Sequence, residues 1–150
     1  MQVAFALDCC DREVMSYVAT TAAINGEMIR DVMAEAVERR FGSGRRAVPH
    51  PIEWISDNGP PYTAHETRDF GAALGLVVCT TPSYSPESNG MAEAFVKRFK
   101  GDYVYLAELP SAKAVLELLP LWMEDYNEVH PHSGMKMQSP REYRRLNSTR

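Results

Sequence analysis

The chain has 150 residues, 45% of them hydrophobic and 24% charged, with a formal net charge of −4. That is the composition of one ordinary globular domain, long enough to bury a core. No apolar run reaches the length of a membrane span and no basic-then-apolar leader opens the chain, while the negative net charge is not the profile of an autonomous DNA binder.

Taken in chain order, Val3 to Leu7 is an apolar run that predicts a buried strand. Cys9 to Glu13 is turn-like, and β-rich Val14 to Thr20 predicts a second strand, antiparallel to the first. Glu27 to Phe41 predicts a helix whose Ile29, Val32, Met33, Ala36 and Val37 share one face, ended by Gly42-Ser43-Gly44. After a loop to Pro51, Ile52 to Ser56 is a strand. Ala64 to Leu74 is a helix closed by Gly75, and Leu76 to Thr80 is a strand. Pro82 to Ser88 reads as a polar loop. A helix from about Ser88 to Leu106 carries the stripe Met91, Phe95, Phe99, Tyr103 and Leu106. A last helical region, Ala112 to Val129, contains Pro120, which predicts a kink or a split. A short helix is expected at Pro140 to Leu146. Cys9, Cys10 and Cys79 are a poor disulfide framework and point to a reduced, cytoplasmic setting, and no Cys-x-x-Cys spacing suggests zinc.

Two carboxylates stand out. Asp57 opens Asp57-Asn58-Gly59 directly after a strand, and Glu93 sits near the head of a helix, with thirty-five residues between them. Taken singly, Asp57 is a turn former and Glu93 a first-turn acid favoured by the helix dipole. Together, one acid at a strand end and one on a helix suit a divalent cation held against a phosphodiester. Glu93, Lys97 and Lys100 follow an i, i+4, i+7 pattern and share a face roughly opposite Phe95 and Phe99. That face is either a phosphate-holding surface or an ordinary solvated Glu–Lys pair. His130 and His132, around Pro131, read as loop residues rather than metal ligands. Arg141, Arg144 and Arg145 fit phosphate contacts or a solvated helix face equally well.

Four blocks in order carry a resemblance. They are Ala6-Leu7-Asp8-Cys9-Cys10-Asp11-Arg12-Glu13, Ser56-Asp57-Asn58-Gly59, Ser85-Pro86-Glu87-Ser88-Asn89-Gly90-Met91-Ala92-Glu93, and Tyr126-Asn127-Glu128-Val129-His130-Pro131-His132 followed by Ser139-Pro140-Arg141-Glu142-Tyr143. The chain resembles the integrase-type catalytic core of bacterial insertion-sequence transposases over nearly its whole length. The resemblance implies an α/β fold like ribonuclease H, a mixed sheet flanked by helices. It further implies metal-dependent cutting and joining of DNA, with Asp57 and Glu93 as catalytic and metal-binding acids for Mg2+ or Mn2+. Lys97 and Lys100 would be DNA-binding residues, the partners insertion-element ends and target DNA, and the assembly a homo-oligomer without membrane contact. Residues 1–129 would be the core and 130–150 a tail.

That fold carries three strands before its first helix, whereas two are counted here. The expectation is therefore that the first strand, with the family's first catalytic aspartate, is missing, and that Asp8 ends the second strand. The alternative is that Asp8 fills the role. The family pattern also has a small polar residue where Pro60-Pro61 stand, so DNA contacts in that loop are in doubt. A non-catalytic DNA-binding or dimerising remnant and a ribonuclease H-like nuclease are the rival readings.

Overall fold

The structure, a computed structural model, describes residues 1–42, 47–56, 59–80, 90–104, 111–131 and 137–147. The chain divides into two compact units, Met1–Ala6 with Met15–Lys97, and Leu7–Val14 with Arg98–Arg150.

The first unit holds two two-stranded sheets among the described residues. Strands β1 (Gln2–Leu7) and β2 (Val14–Thr20) form one. The six-residue connection between them is too short for a parallel crossover, so they pair as a hairpin. Strands β3 (Ile52–Ser56) and β4 (Leu76–Thr80) form the other, in parallel, with Ile52 opposite Leu76 and Ser56 opposite Thr80. The crossover a parallel pair requires is supplied by α2 (Pro60–Thr63) and α3 (His65–Ala73).

Helix α1 (Gly26–Phe41) joins the two sheets into one packed layer. It starts where the Asn25 side chain accepts the Met28 N–H at 2.9 Å, an N-cap bond that satisfies one orphan donor. Its Ile29, Met33 and Val37 bury against Ala4, Leu74 and Leu76, while Val32 and Ala36 bury against Ala6 and Met15. Trp54 of β3 and Val18 of β2 touch both clusters. The buried face of α1 is the one the sequence period marks. Helix α3 lies close on β4. A Cβ at Gly71 would stand 2.7 Å from a Val78 methyl, so only glycine allows that approach. Gly75 turns the chain into β4 at φ +86°, a left-handed conformation suited to glycine.

In the second unit, the turn from Asp8 to Glu13 is tied by Asp8 N–H to the Glu13 carbonyl at 2.9 Å and Arg12 N–H to the Asp8 carbonyl at 2.7 Å. Helix α4 (Gly90–Phe99) begins in the first unit and ends in the second, where Lys100–Val104 continues as a π-helical turn. Helix α5 (Ala112–Glu128) is capped by Ser111, whose hydroxyl accepts the Ala114 N–H. Helix α6 (Pro140–Asn147) opens with a capping box: Glu142 N–H donates to Ser139 Oγ, and Ser139 N–H to Glu142 Oε1. Proline at its first position costs nothing, since that N–H has no helical acceptor.

The fold departs from the sequence expectation at four places. Pro60-Pro61 do not stiffen a loop but start the short helix α2, where missing N–H groups are tolerated. Of the kink or split expected at Pro120, the split does not occur, since α5 runs unbroken through it. An internal proline costs about 3 kcal/mol. Burial of Leu119, Met123 and Tyr126 offsets this at roughly 1.5–3 kcal/mol for a large apolar side chain. The α-helical winding after Gly90 stops at Phe99. Met91, expected in the apolar stripe, is 37% exposed, whereas Phe95 and Phe99 are buried. The expected loop at 82–88 and Leu106 lie outside the described residues.

Candidate functional site

Asp57 lies outside the described residues, as does Asn58. Its chain neighbours are placed: Ser56 ends β3, buried at 7% exposure, and Gly59 is the N-cap residue of α2. Ser56 pairs with Thr80 at the carboxyl ends of two parallel strands. That end of an open α/β sheet is where ligands bind. The expected meeting of Asp57 and Glu93 across a cleft therefore falls on a residue beyond the description.

Glu93 stands in the first turn of α4, where the helix dipole favours a negative charge. It is exposed, and among the described residues it makes no hydrogen bond or ion pair. Lys97, one turn on, is likewise exposed and without a partner among them. The two do not pair with each other, so the ordinary i, i+4 bridge is not formed. Lys100 is exposed and is the first residue of the π-helical turn. Glu93 and Lys97 thus lie one α-helical turn apart, and at Lys100 the winding widens.

Asp8, the alternative first acid, has its carboxylate engaged locally. Oδ1 accepts Cys10 N–H at 2.7 Å and Asp11 N–H at 3.1 Å, an Asx-type turn. Glu13, three residues from the pair of cysteines, is 1% exposed and was not marked by the sequence. Its carboxylate meets Arg141 Nε at 3.0 Å and Arg144 Nε at 3.5 Å. Arg141 also bonds Glu124 and Glu128, and Arg145 bonds Glu128 at 3.1 Å. The three tail arginines are thus engaged in a network of acids rather than forming a free basic surface. Glu128 is held below the usual carboxylate range, first by its hydrogen bond from Arg141 and then by Arg145, against some desolvation.

The Tyr126–His130 block is also engaged. Asn127 is buried and grips Val14 twice, accepting its N–H at 2.7 Å and donating to its carbonyl at 3.0 Å. His130 Nε2 lies 2.6 Å from Asp102 Oδ2. Tyr103 Oη donates to Asp125 Oδ2 at 2.6 Å, and its phenol is pushed up by burial and then by that bond. Burial also raises the Tyr126 phenol, opposed by the Arg12 and Arg98 guanidiniums. Among the described residues, no group of three or more His, Cys, Asp or Glu could hold a metal. The donors expected of Asp57 and Glu93 are hard carboxylate oxygens, which fit Mg2+ or Mn2+ in kind. No described helix is long and apolar enough to cross a membrane.

The integrase core domain family matches residues 1–86, and a second family description of the same name matches residues 75–140. The chain belongs to the integrase core domain family. Asp57 falls in the first matched stretch and Glu93, Lys97 and Lys100 in the second. An uncharacterized protein of insertion element IS136 from Agrobacterium fabrum is 51% identical over 149 residues, 99% of this chain and 75% of that protein. The transposase InsD for insertion element IS2A/D/F/H/I/K from Escherichia coli is 48% identical over 145 residues, 97% of this chain. The chain spans about half of InsD, 48% of its length. Among solved structures, the catalytic core domain of BIV integrase has a TM-score of 0.68 at 20% identity, covering 98% of this chain and 88% of that one. A chain of the simian T-cell lymphotropic virus intasome has a TM-score of 0.66 at 16% identity, covering 94% of this chain and 47% of that one. The fold of this integrase core is accordingly ribonuclease H-like.

Proposed function

We propose that this integrase core performs metal-dependent cleavage and transfer of DNA strands for an insertion element, with Asp57 and Glu93 as its metal-binding acids. The observation that carries the reading is Glu93. In a chain whose other singled-out charges are mostly engaged in the fold, this carboxylate and Lys97 stand exposed without a partner among the described residues. A divalent cation bound there would activate an oxygen nucleophile and stabilise the leaving oxygen. Asp57 and Glu93 would hold it as Mg2+ or Mn2+, and Lys97 and Lys100 would hold DNA phosphates beside it. The partners are element ends and target DNA, and the working form is a homo-oligomer in the cytoplasm. Residues 1–129 act as the core proper and 130–150 as an appended tail.

Two acids hold a metal, but a two-metal clamp generally takes a further bridging carboxylate. Asp8 does not offer one freely, because its carboxylate caps a turn. The 150-residue chain is therefore expected to bind Mn2+ without nicking or joining DNA. Calorimetry should show Mn2+ binding weakened at least about tenfold in Asp57→Asn and in Glu93→Gln, and unchanged in Asp8→Asn. Binding that survives both of the first two variants would remove these acids from the site. Cleavage of a labelled element end with Mg2+, lost in Asp8→Asn, would put Asp8 back into it.

A further inference from the structure

The Tyr126–His130 block has no part in the proposed chemistry, yet its neighbours converge on one place. Lys100–Val104 winds as a π-helix, a form that is rare and concentrated at functional positions. Two side chains of this turn are tied to the end of α5. Tyr103 donates to Asp125, and Asp102 meets His130, each at 2.6 Å. The two anchors are themselves joined. The Asp125 carbonyl accepts the Val129 N–H at 2.8 Å and the His130 N–H at 3.2 Å. Rings close the assembly: Tyr103 lies 5.0 Å from Phe99 and 5.9 Å from His130, and His130 lies 5.1 Å from Tyr126. A helix end has carbonyls and amides without intrahelical partners and frays unless something holds it. Here the holding groups come from another helix.

We propose that Asp102, Tyr103, Asp125 and His130 form a latch that fixes the π-helical turn and thereby positions Lys100 for a DNA phosphate. The second half of this inference rests on the DNA-binding reading given above, and the first half does not. None of the four need touch DNA. They act through Lys100, whose Cα is set by the turn that the latch holds. A lysine on a frayed turn must be ordered at the moment of binding, and that entropy weakens the contact. The Asp125-Tyr126-Asn127 and His130 signature is on this view a positioning device for α4's extension, and the fixed turn is what it delivers.

The test uses Tyr103→Phe with His130→Phe, which removes the hydroxyl and the ring nitrogen that make the two ties without introducing a formal charge. Amide hydrogen exchange of residues 100–104 should accelerate about tenfold or more in the double variant, with the middle of α5 still protected. Binding to a short fluorescein-labelled duplex should weaken several-fold, and adding Lys100→Ala to the double variant should cost nothing further, a non-additive cycle. Unchanged exchange at 100–104 would overturn the latch. Faster exchange with fully additive losses would overturn its action through Lys100. If Lys100→Ala alone leaves duplex binding untouched, the DNA reading of Lys100 falls and the positioning half with it, while the exchange result still decides the latch.

Discussion

Glu13 and Glu93 are both glutamates beside basic residues, and their fates are opposite. Glu13 is buried and bridged by Arg141 and Arg144. Glu93 is exposed, with Lys97 a turn away and no bond between them. The contrast separates charge used to assemble the fold from charge left facing solvent. A buried ion pair holds neighbouring segments in one arrangement because an unpaired charge there is so unfavourable. An exposed acid beside exposed lysines stabilises little and remains open to a ligand.

The largest effect that could break this contrast is on stability. Glu13→Ala opens a cavity and takes one of three carboxylate partners from Arg141, which keeps Glu124 and Glu128, and should cost about 1–3 kcal/mol in urea unfolding. Glu93→Gln should stay within about 0.5 kcal/mol of the parent. Similar losses for both would erase the distinction.

Next comes DNA binding. Lys97→Ala should weaken duplex binding alike for all sequences and lower the slope of log K against log salt by about one. Arg145→Ala, whose partner is Glu128, should leave that slope unchanged. A reversed order would move the DNA-facing surface to α6.

A smaller effect tests α6 itself. Ser139→Ala removes the capping box and should cost about 1 kcal/mol, measured by thermal unfolding.

The smallest concerns pH. The folded-state pKa of Glu128 is depressed, so its stabilisation is complete above its ordinary value of 4.5 and is lost as pH falls through the folded value. Glu128→Gln should therefore flatten the stability profile below about pH 4.5 and leave its shape near neutrality unchanged. A slope change near pH 7 instead would point to a different group.

Local pattern carried much of this architecture. The bounds of β2, β3 and β4 and the buried face of α1 follow from β-rich runs and helical period, because each element turns apolar side chains into the two clusters around α1. What escaped depended on distance or on backbone subtlety. The Glu13–Arg141 bridge joins residues 128 apart in sequence, so no window holds both partners. The π-helical turn hid because Phe95, Phe99 and Tyr103 fit an unbroken α-helical stripe. Pro60 starts a helix where a loop was expected, and Pro120 sits inside a helix that it does not split. Of the candidate site, the sequence singled out Glu93, Lys97 and Lys100 as one polar face. The structure adds that Glu93 and Lys97 have no partner among the described residues, while Asp57 rests on spacing and family.

The hairpin β1–β2 has a consequence for handling the protein. Among the described residues the strand that β1 pairs with is β2, and Gln2, Val3 and Ala4 line a cleft of about 390 Å³ with Ile24, Gly59, Pro61 and Tyr62. Gln2–Leu7 contains no charge and no proline, the devices that usually keep a strand edge from templating another. Heating should therefore end in precipitation before refolding can compete. The apparent melting temperature would then drift with scan rate and protein concentration, reporting a race between unfolding and strand recruitment rather than an equilibrium.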